Sequence, residues 1–311
     1  MHDNLQEAST VSVGRTFDAD HALPGHRVIV IEGRDAVAFA QAQTMNDVAA
    51  LADGEWHWNG WLTPKGRVVA LFALLRFSAE SVWLLVTDAD ADALVTSLKR
   101  FVFRSKVVMH IDHRLRACGS FETPVQARGA VLAQLDGAVE MDMGGAGGAR
   151  AIRIVTGDAE PDAVTLVDAV IAAVPVNPPQ ESSDFERAWA LFDIAHGWPR
   201  LAPDQFDAWT PQQLSLERLR AFSVKKGCYP GQEIVARTHF LGKAKRGLMR
   251  LRCVHASRAG QVVDGSDRVI GQFVSAVGVE GLAVMPIETT GPLISEGAAC
   301  EMLEMRDGLA R

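Results

Sequence analysis

The sequence predicts an α+β chain that ends in a small all-β unit, and three observations carry the prediction. Alternating, β-branched runs are interleaved with segments of helical period until about residue 240. From about residue 246 the helical period stops, and short strand-like runs separated by turn residues take over, as in a small barrel. With 48% hydrophobic residues in 311, the chain can bury the cores of roughly two domains, or of three small ones.

Taken in order, RVIVIEG (27–33) alternates like a strand, and DAVAFAQAQTMNDVAAL reads as an amphipathic helix opened by Asp35. RVVALFALLRF (67–77) and SVWLLVT (81–87) are strand-like, DADALVTSLKRFVF (90–103) is helix-like, and KVVMHID is a short strand. MGGAGGAR (143–150) is expected to be a loop, since no GxGxxG follows a strand there to suggest a nucleotide site. VPVNPPQESSD (174–184) has linker composition. In QEIVARTHFLG a helix of about ten residues with Gly242 as its stop competes with a strand over IVARTHF. LMRLRCV, QVVDGSDRVIGQFVSAVG and GLAVMPIE supply the barrel strands.

The formal charge of −7 argues against a protein that grips nucleic acid over its whole surface. Locally the balance reverses: from Lys225 to Arg252 there are eight cations (Lys225, Lys226, Arg237, Lys243, Lys245, Arg246, Arg250, Arg252) against one anion, Glu233. This is either a solvated charge run or an anion site. Cys118, Cys228, Cys253 and Cys300 show no metal-type spacing and are expected to be free thiols in a reducing cytosol. The polar, acidic start lacks the blocks of a signal peptide and no apolar run approaches a membrane span, so a cytoplasmic, soluble protein, guessed to be a monomer, is expected. No solenoid-length repeat is present.

KKGCYPGQE (225–233) contains the only tyrosine of a chain with 13 phenylalanines and 7 tryptophans. Pro230 and Gly231 suit the two central positions of a type II turn. Cys228 would then sit just before a helix N-terminus and beside two lysines, a setting that makes a thiol reactive; a small buried cysteine in a turn is the alternative.

Extended to KKGCYPGQEIVARTHFLGKAKRGL, the string resembles the signature of the YgfZ family, the folate-binding, tRNA-modification-associated branch of the aminomethyltransferase (glycine cleavage T-protein, GcvT-like) superfamily. IEGRDAVAFAQAQTMND, WLTPKGRVVALF and RAWALFDIAHGWPRLAPDQFDAWTPQQLSL resemble its upstream blocks. The resemblance implies a three-domain ring around a channel that holds tetrahydrofolate or another reduced folate: two α/β domains with antiparallel or mixed sheets, plus the C-terminal β-barrel. In this chain the folate-binding domain would comprise residues 10–50 with 113–240, a small ferredoxin-like domain 51–112, and the barrel 241–311. The resemblance further implies Cys228 as a functional thiol assisted by Lys226 and Tyr229, and Trp189, Gln232, Glu233, Arg237 and Asp47 as folate contacts. Trp189 would be the aromatic platform; His26, near the ligand in relatives, is expected to be structural or merely exposed. Ala42 between Gln41 and Gln43, and Met45, depart from the family's usual first block. Ala70 and Leu71 stand where the aminomethyltransferases carry paired acids, and no Asp or Glu occurs from Trp56 to Ala79, so the obvious acid/base group for one-carbon transfer is missing.

Three functions remain open at this point. The resemblance implies a folate-binding accessory protein that supports iron–sulfur cluster assembly or repair, with iron–sulfur enzymes such as a radical tRNA methylthiotransferase as partners, tRNA touched at most indirectly, no membrane, and no aminomethyl transfer. A folate-dependent one-carbon transferase using Cys228 is the second. An RNA-binding module acting through the basic segment is the third.

Overall fold

The computed structural model describes residues 20–87, 89–157, 179–242, 244–254, 256 and 260–311. Sixteen strands form two five-stranded sheets and a closed barrel, with every pairing among the described residues antiparallel. In the first sheet, β1 (His21–Ala22) lies beside β7 (Leu115–Ser120), followed by β10 (Ala151–Thr156), β9 (Ala138–Asp142) and β8 (Ala133–Leu135). The second sheet runs β3 (Glu55–Leu62), β4 (Val68–Ser78), β5 (Ser81–Thr87), β2 (His26–Glu32) and β6 (Val108–Ile111). The barrel closes in the order β11 (Arg246–Cys253), β14 (Glu280–Pro286), β13 (Val269–Val277), β12 (Gln261–Val263), β15 (Leu293–Ser295) and β16 (Ala298–Leu303), which returns to β11.

The second sheet explains why its strands are apolar on both sides. Val28, Val30, Leu71, Ala73 and Leu75 enter one core; their neighbours Ile29, Ile31, Ala70, Phe72 and Leu74 enter another. The second of these cores is covered by α1 (Ala36–Gln43) and α2 (Ala91–Lys99) through Phe39, Leu94, Val95 and Leu98. The first is shared with the first sheet, with α3 (Pro179–Ala195), and with barrel residues Leu248, Val274, Leu282 and Val284. Alternate residues of a pleated strand face opposite sides, so a strand sandwiched between two cores must be apolar throughout.

Several expectations shift. Residues 26–32 belong to the same sheet as residues 55–111 and not to the span 113–240, because β2 pairs with β5 and β6. The helix expected from Asp35 through Leu51 stops at Gln43: Thr44 is extended, and Val48–Ala50 forms a separate 3₁₀ turn. Asp35 does not cap it by its side chain; that carboxylate accepts the Lys106 amide. The helix expected over 90–103 ends at Lys99, with Asp90 accepting from the Ala93 amide as its N-cap, and RFVF leaves it. The linker expected at 174–184 becomes helix from Pro179; its earlier part, residues 10–19 and Lys243 lie outside the described residues. The barrel and the glycine-rich loop follow expectation. Cys253 and Cys300 do not stay free: they face each other across β11 and β16 with Cα atoms 4.3 Å apart and form a disulfide. Ladder register, invisible in their spacing along the chain, brings them together.

Beyond β16, residues 304–311 leave the barrel and strap the other units together. The Arg306 amide donates to the Ala195 carbonyl (2.8 Å), Ala146 donates to Asp307 (2.7 Å), and the Trp58 indole donates to Leu309 (2.7 Å). The Arg311 guanidinium donates to the carbonyls of Asp142 and Gly144, both at 2.8 Å.

Under α3 lies a charged cluster. Arg150, with no exposed side-chain surface, donates to Asp193 at 2.6 Å, and Arg200 reaches the other carboxylate oxygen at 2.9 Å. The Arg150 guanidinium is sandwiched between Trp189 (4.3 Å) and Phe192 (4.1 Å). Burial pushes the Asp193 pKa up, but Arg150 and Arg200 outweigh it and hold the carboxyl below its usual value. Removing one partner of such a pair leaves a charge buried without compensation. Asp193→Ala is therefore expected to lower unfolding stability by about 3–5 kcal/mol in urea titrations, and Asp193→Asn by less.

Candidate functional site

The site is built on the turn at residues 44–47. Asn59 on β3 organises it: its carbonyl oxygen accepts the amides of Asn46 (2.9 Å) and Gly60 (2.8 Å), while its amide group meets Thr44 Oγ1 and His57 Nε2, both at 3.0 Å. Asn46 in turn donates to the carbonyls of Trp58 (2.9 Å) and Arg220 (2.7 Å). The carbonyls of this segment still need donors, and Lys226 supplies them. Its buried ammonium donates to Gln41 O and Thr44 O at 2.5 Å each and to Asn46 O at 3.1 Å. It therefore closes the C-terminal end of α1, where a cation is favoured. Burial lowers the Lys226 pKa to about 8, against the opposing pull of Asp47. His57, buried beside it, is held down to about 3 by burial and by the Lys226 charge.

Around this lysine the KKGCYPGQE segment buries Lys226 and Tyr229, half-buries Pro230, Gly231 and Gln232, and leaves Lys225, Gly227, Cys228 and Glu233 exposed. The Lys225 and Lys226 amides donate to Ser223 Oγ (3.2 Å each), and Ser223 N donates to Met45 O (2.9 Å). Tyr229, 6% exposed, lays its ring 4.8 Å from the Lys226 nitrogen and donates its hydroxyl to the Ser223 carbonyl at 3.1 Å. Gln232 donates to Lys226 O at 3.0 Å. Between Tyr229 and Gln232 the type II turn forms as expected: Gly231 has φ 81° and ψ −2°, and Gln232 N donates to Tyr229 O at 3.1 Å. A side chain at Gly231 would meet Thr63 O and the Gly66 Cα at 2.6 Å, so this turn is locked against the β3–β4 hairpin as well. Then α4 (Gln232–Leu241) starts, settling the helix-or-strand alternative. Cys228 is the exposed one of the two free cysteines; Cys118, the other, is buried, and burial raises its pKa to about 11.

The remaining expected contacts scatter. Asp47 accepts from the Gln41 amide at 3.0 Å, beside the lysine. Glu233 and Arg237 pair with each other at 3.0 Å on the exposed face of α4, with 82% and 63% of their side chains in solvent. Trp189 is 2% exposed; Arg150 covers one side, Phe121 and Phe185 flank it, and Gly119 approaches it so closely that an added Cβ would lie 2.7 Å from the ring. As packed, it has no face left for a pterin. His26 is buried and neutral, with its pKa lowered to about 3 by burial and the Arg200 charge, as a structural histidine.

Trp198, in the same stretch of chain as Trp189, lines a small cavity. Ala70 and Leu71 wall a cavity of about 10 Å³ together with Trp198, Leu201 and Phe206, and the Trp198 ring lies tilted by 31° against Trp58 with centroids 3.9 Å apart. The lining suits a flat heteroaromatic ring, with aromatic and aliphatic walls, so its residue types fit the pterin of a reduced folate. Its volume is that of about one water, so a pterin enters only if the 198–206 segment moves away from Ala70 and Leu71. No carboxylate lines it. The sequence signal for Trp198 was the HGWPR string, whose glycine and proline mark a chain reversal after α3.

No protein-family model matches the chain. It is 28% identical over 259 residues to the "tRNA-modifying protein YgfZ" of Vibrio vulnificus strain CMCP6, covering 81% of this chain and 75% of that one. With the protein of the same name from Aliivibrio fischeri strain ES114 it shares 24% over 304 residues, 89% and 91% of the two chains. An uncharacterized protein of Haemophilus influenzae is 26% identical over 288 residues, 88% and 90% of the two chains. Among solved structures, the glycine cleavage system aminomethyltransferase T from Bartonella henselae superposes with a TM-score of 0.67 at 14% identity, over 93% of this chain and 86% of that one, a likeness of fold.

Substituting Lys226 by Met removes the donor shared by three buried carbonyls, so Lys226→Met is expected to lose about 3 kcal/mol of stability at pH 7. The pH dependence has a definite sign. With a folded pKa of about 8 against 10.5 for an ordinary lysine, the unfolded chain binds more protons between those values, so the wild type gains stability as pH rises through that window. Urea titrations across it should show this gain in the wild type and its absence in Lys226→Met.

Proposed function

The chain belongs to the YgfZ family, and on that premise we propose that it is an accessory protein of tRNA modification that works through Cys228. One observation carries the reading: Lys226, Tyr229 and Gln232 are taken up by inward contacts, while Cys228, the exposed one of the two free thiols, stands on the turn they hold. Three inward anchors around one exposed thiol serve presentation of that thiol to a partner. The family resemblance suggests iron–sulfur enzymes as those partners, a radical tRNA methylthiotransferase among them, and a cytoplasmic setting. Domain roles follow the same source, with the folate-binding role assigned to the space between the two sheets.

Reduced folate belongs to the proposal as a ligand of the Trp198 cavity. Leu71, Trp198 and Phe206 would hold its ring, and the folate would supply a one-carbon carrier. Aminomethyl transfer is not part of the reading, because Ala70 and Leu71 offer no acid or base to the ring. A Cys228 transferase has no comparable support: neither Lys226 nor Tyr229 points its polar atom at the thiol.

Two outcomes test the reading. In a host lacking its own relative of this family, Cys228→Ala is expected to fold with stability within about 1 kcal/mol of the wild type yet fail to support tRNA methylthiolation. Full complementation would reduce the motif to a structural turn. Titration calorimetry with tetrahydrofolate should give binding heat together with a change in tryptophan fluorescence that Trp198→Phe diminishes; no heat would remove folate from the proposal.

A further inference from the structure

Between α2 and the edge strand β6, the segment KRFVFRSK (99–106) holds four cations and two phenylalanines, and no acid occurs between Asp92 and Asp112. The structure divides its side chains sharply. After α2 ends, Phe101 N donates to Leu98 O and Val102 N to Lys99 O, a turn that sends Val102 into the core beneath the helices and sets Phe101 edge-on to Trp61 at 6.2 Å. Phe103 is left with 87% of its surface in solvent, the most exposed large apolar residue described. Lys99, Arg100, Arg104 and Lys106 are exposed around it, and none of them joins an ion pair among the described residues; the nearby Asp35 takes the Lys106 backbone amide and the neighbouring Arg34. An isolated exposed phenylalanine needs no explanation, but one bracketed by unpaired cations on a turn fixed from beneath is a different matter.

We propose that this loop is a contact surface for unpaired RNA, with Phe103 stacking on an extruded base and the flanking Arg and Lys side chains on the phosphates. Aromatic platforms interleaved with cations are what single-stranded RNA requires, since every base has a stackable face and every linkage a negative charge. Against a protein partner stand the two lysines, a residue that interface cores lack, whereas the phenylalanines and arginines suit either kind of partner. The loop is also tied to the thiol turn by successive contacts: Phe101 on Trp61, Trp61 bridged to Thr44, and Thr44 O accepting from Lys226. The choice of RNA rests on the tRNA-modification reading above; the loop chemistry does not.

The test uses the full chain and two probes, a fluorescein-labelled RNA stem–loop with unpaired loop bases and the matching fully paired duplex, read by anisotropy over a range of salt. The stem–loop is expected to bind more tightly than the duplex, Phe103→Ala to weaken it roughly tenfold, and Arg104→Gln to flatten the logarithmic salt dependence by about 0.7. Both positions lie in solvent, and unchanged thermal unfolding confirms that the variants fold. Equal affinity for both probes, or an unchanged Phe103→Ala affinity, overturns the proposal. So does a wild type that supports tRNA methylthiolation without measurable RNA affinity; if the loop variants then lose that support, the surface belongs to a protein partner. RNA binding that depends on Phe103, in a protein that does not support methylthiolation, would sustain the loop assignment while removing the function proposed above.

Discussion

The buried ammonium of Lys226 is the constraint on which the rest of the site depends. A charge withdrawn from water must be met by fixed dipoles, and here three backbone carbonyls meet it, at the end of α1 and through the turn at 44–47. That turn lies 182 residues before the lysine, so one side chain welds the start of the second sheet's helical layer to the segment before α4. Tyr229 lies against the same ammonium, and Gln232 closes onto the lysine's own carbonyl. Lys226, Tyr229 and Gln232 are thereby spent on architecture, which is why the thiol can be exposed without being loose.

The units cohere through a shared core and a strap. Strands of the second sheet are apolar on both faces because one face serves the helices while the other joins the first sheet, α3 and the barrel. The segment 304–311 then crosses from the barrel to Ala195, Ala146 and Trp58, with Arg311 seated on carbonyls of the glycine-rich loop. Close packing of this kind leaves almost no space beside Ala70 and Leu71, so ligand entry there requires the chain after α3 to shift.

Much of this was legible in the residues. The apolar runs, the barrel, the type II turn at Pro230 and Gly231, and the helix after it followed local chemistry closely, because each depends on neighbours in sequence. What escaped were features decided by distant partners. The 44–47 turn looked like continuing helix until Asn59 and Lys226, both remote, claimed its polar groups. RFVF has helical periodicity, yet β6 must pair with β2, so the chain leaves the helix before it. Trp189 and Trp198 share one stretch, and only the packing of Arg150 onto Trp189 decides which of them is enclosed by charge and which borders the cavity. The pairing of Cys253 with Cys300 is a matter of barrel register.

Native-state hydrogen exchange at the amides of Asn46, Ser223 and Gln232 tests the central claim most directly. These amides donate to Asn59, Met45 and Tyr229, the contacts that make the frame rigid. If Lys226 locks the turn as described, all three should exchange only through global unfolding, with the same denaturant dependence as the β3–β4 ladder. Exchange through a local opening that is insensitive to denaturant, while the ladder stays protected, would show that the thiol turn is loose and that the lysine does not hold it.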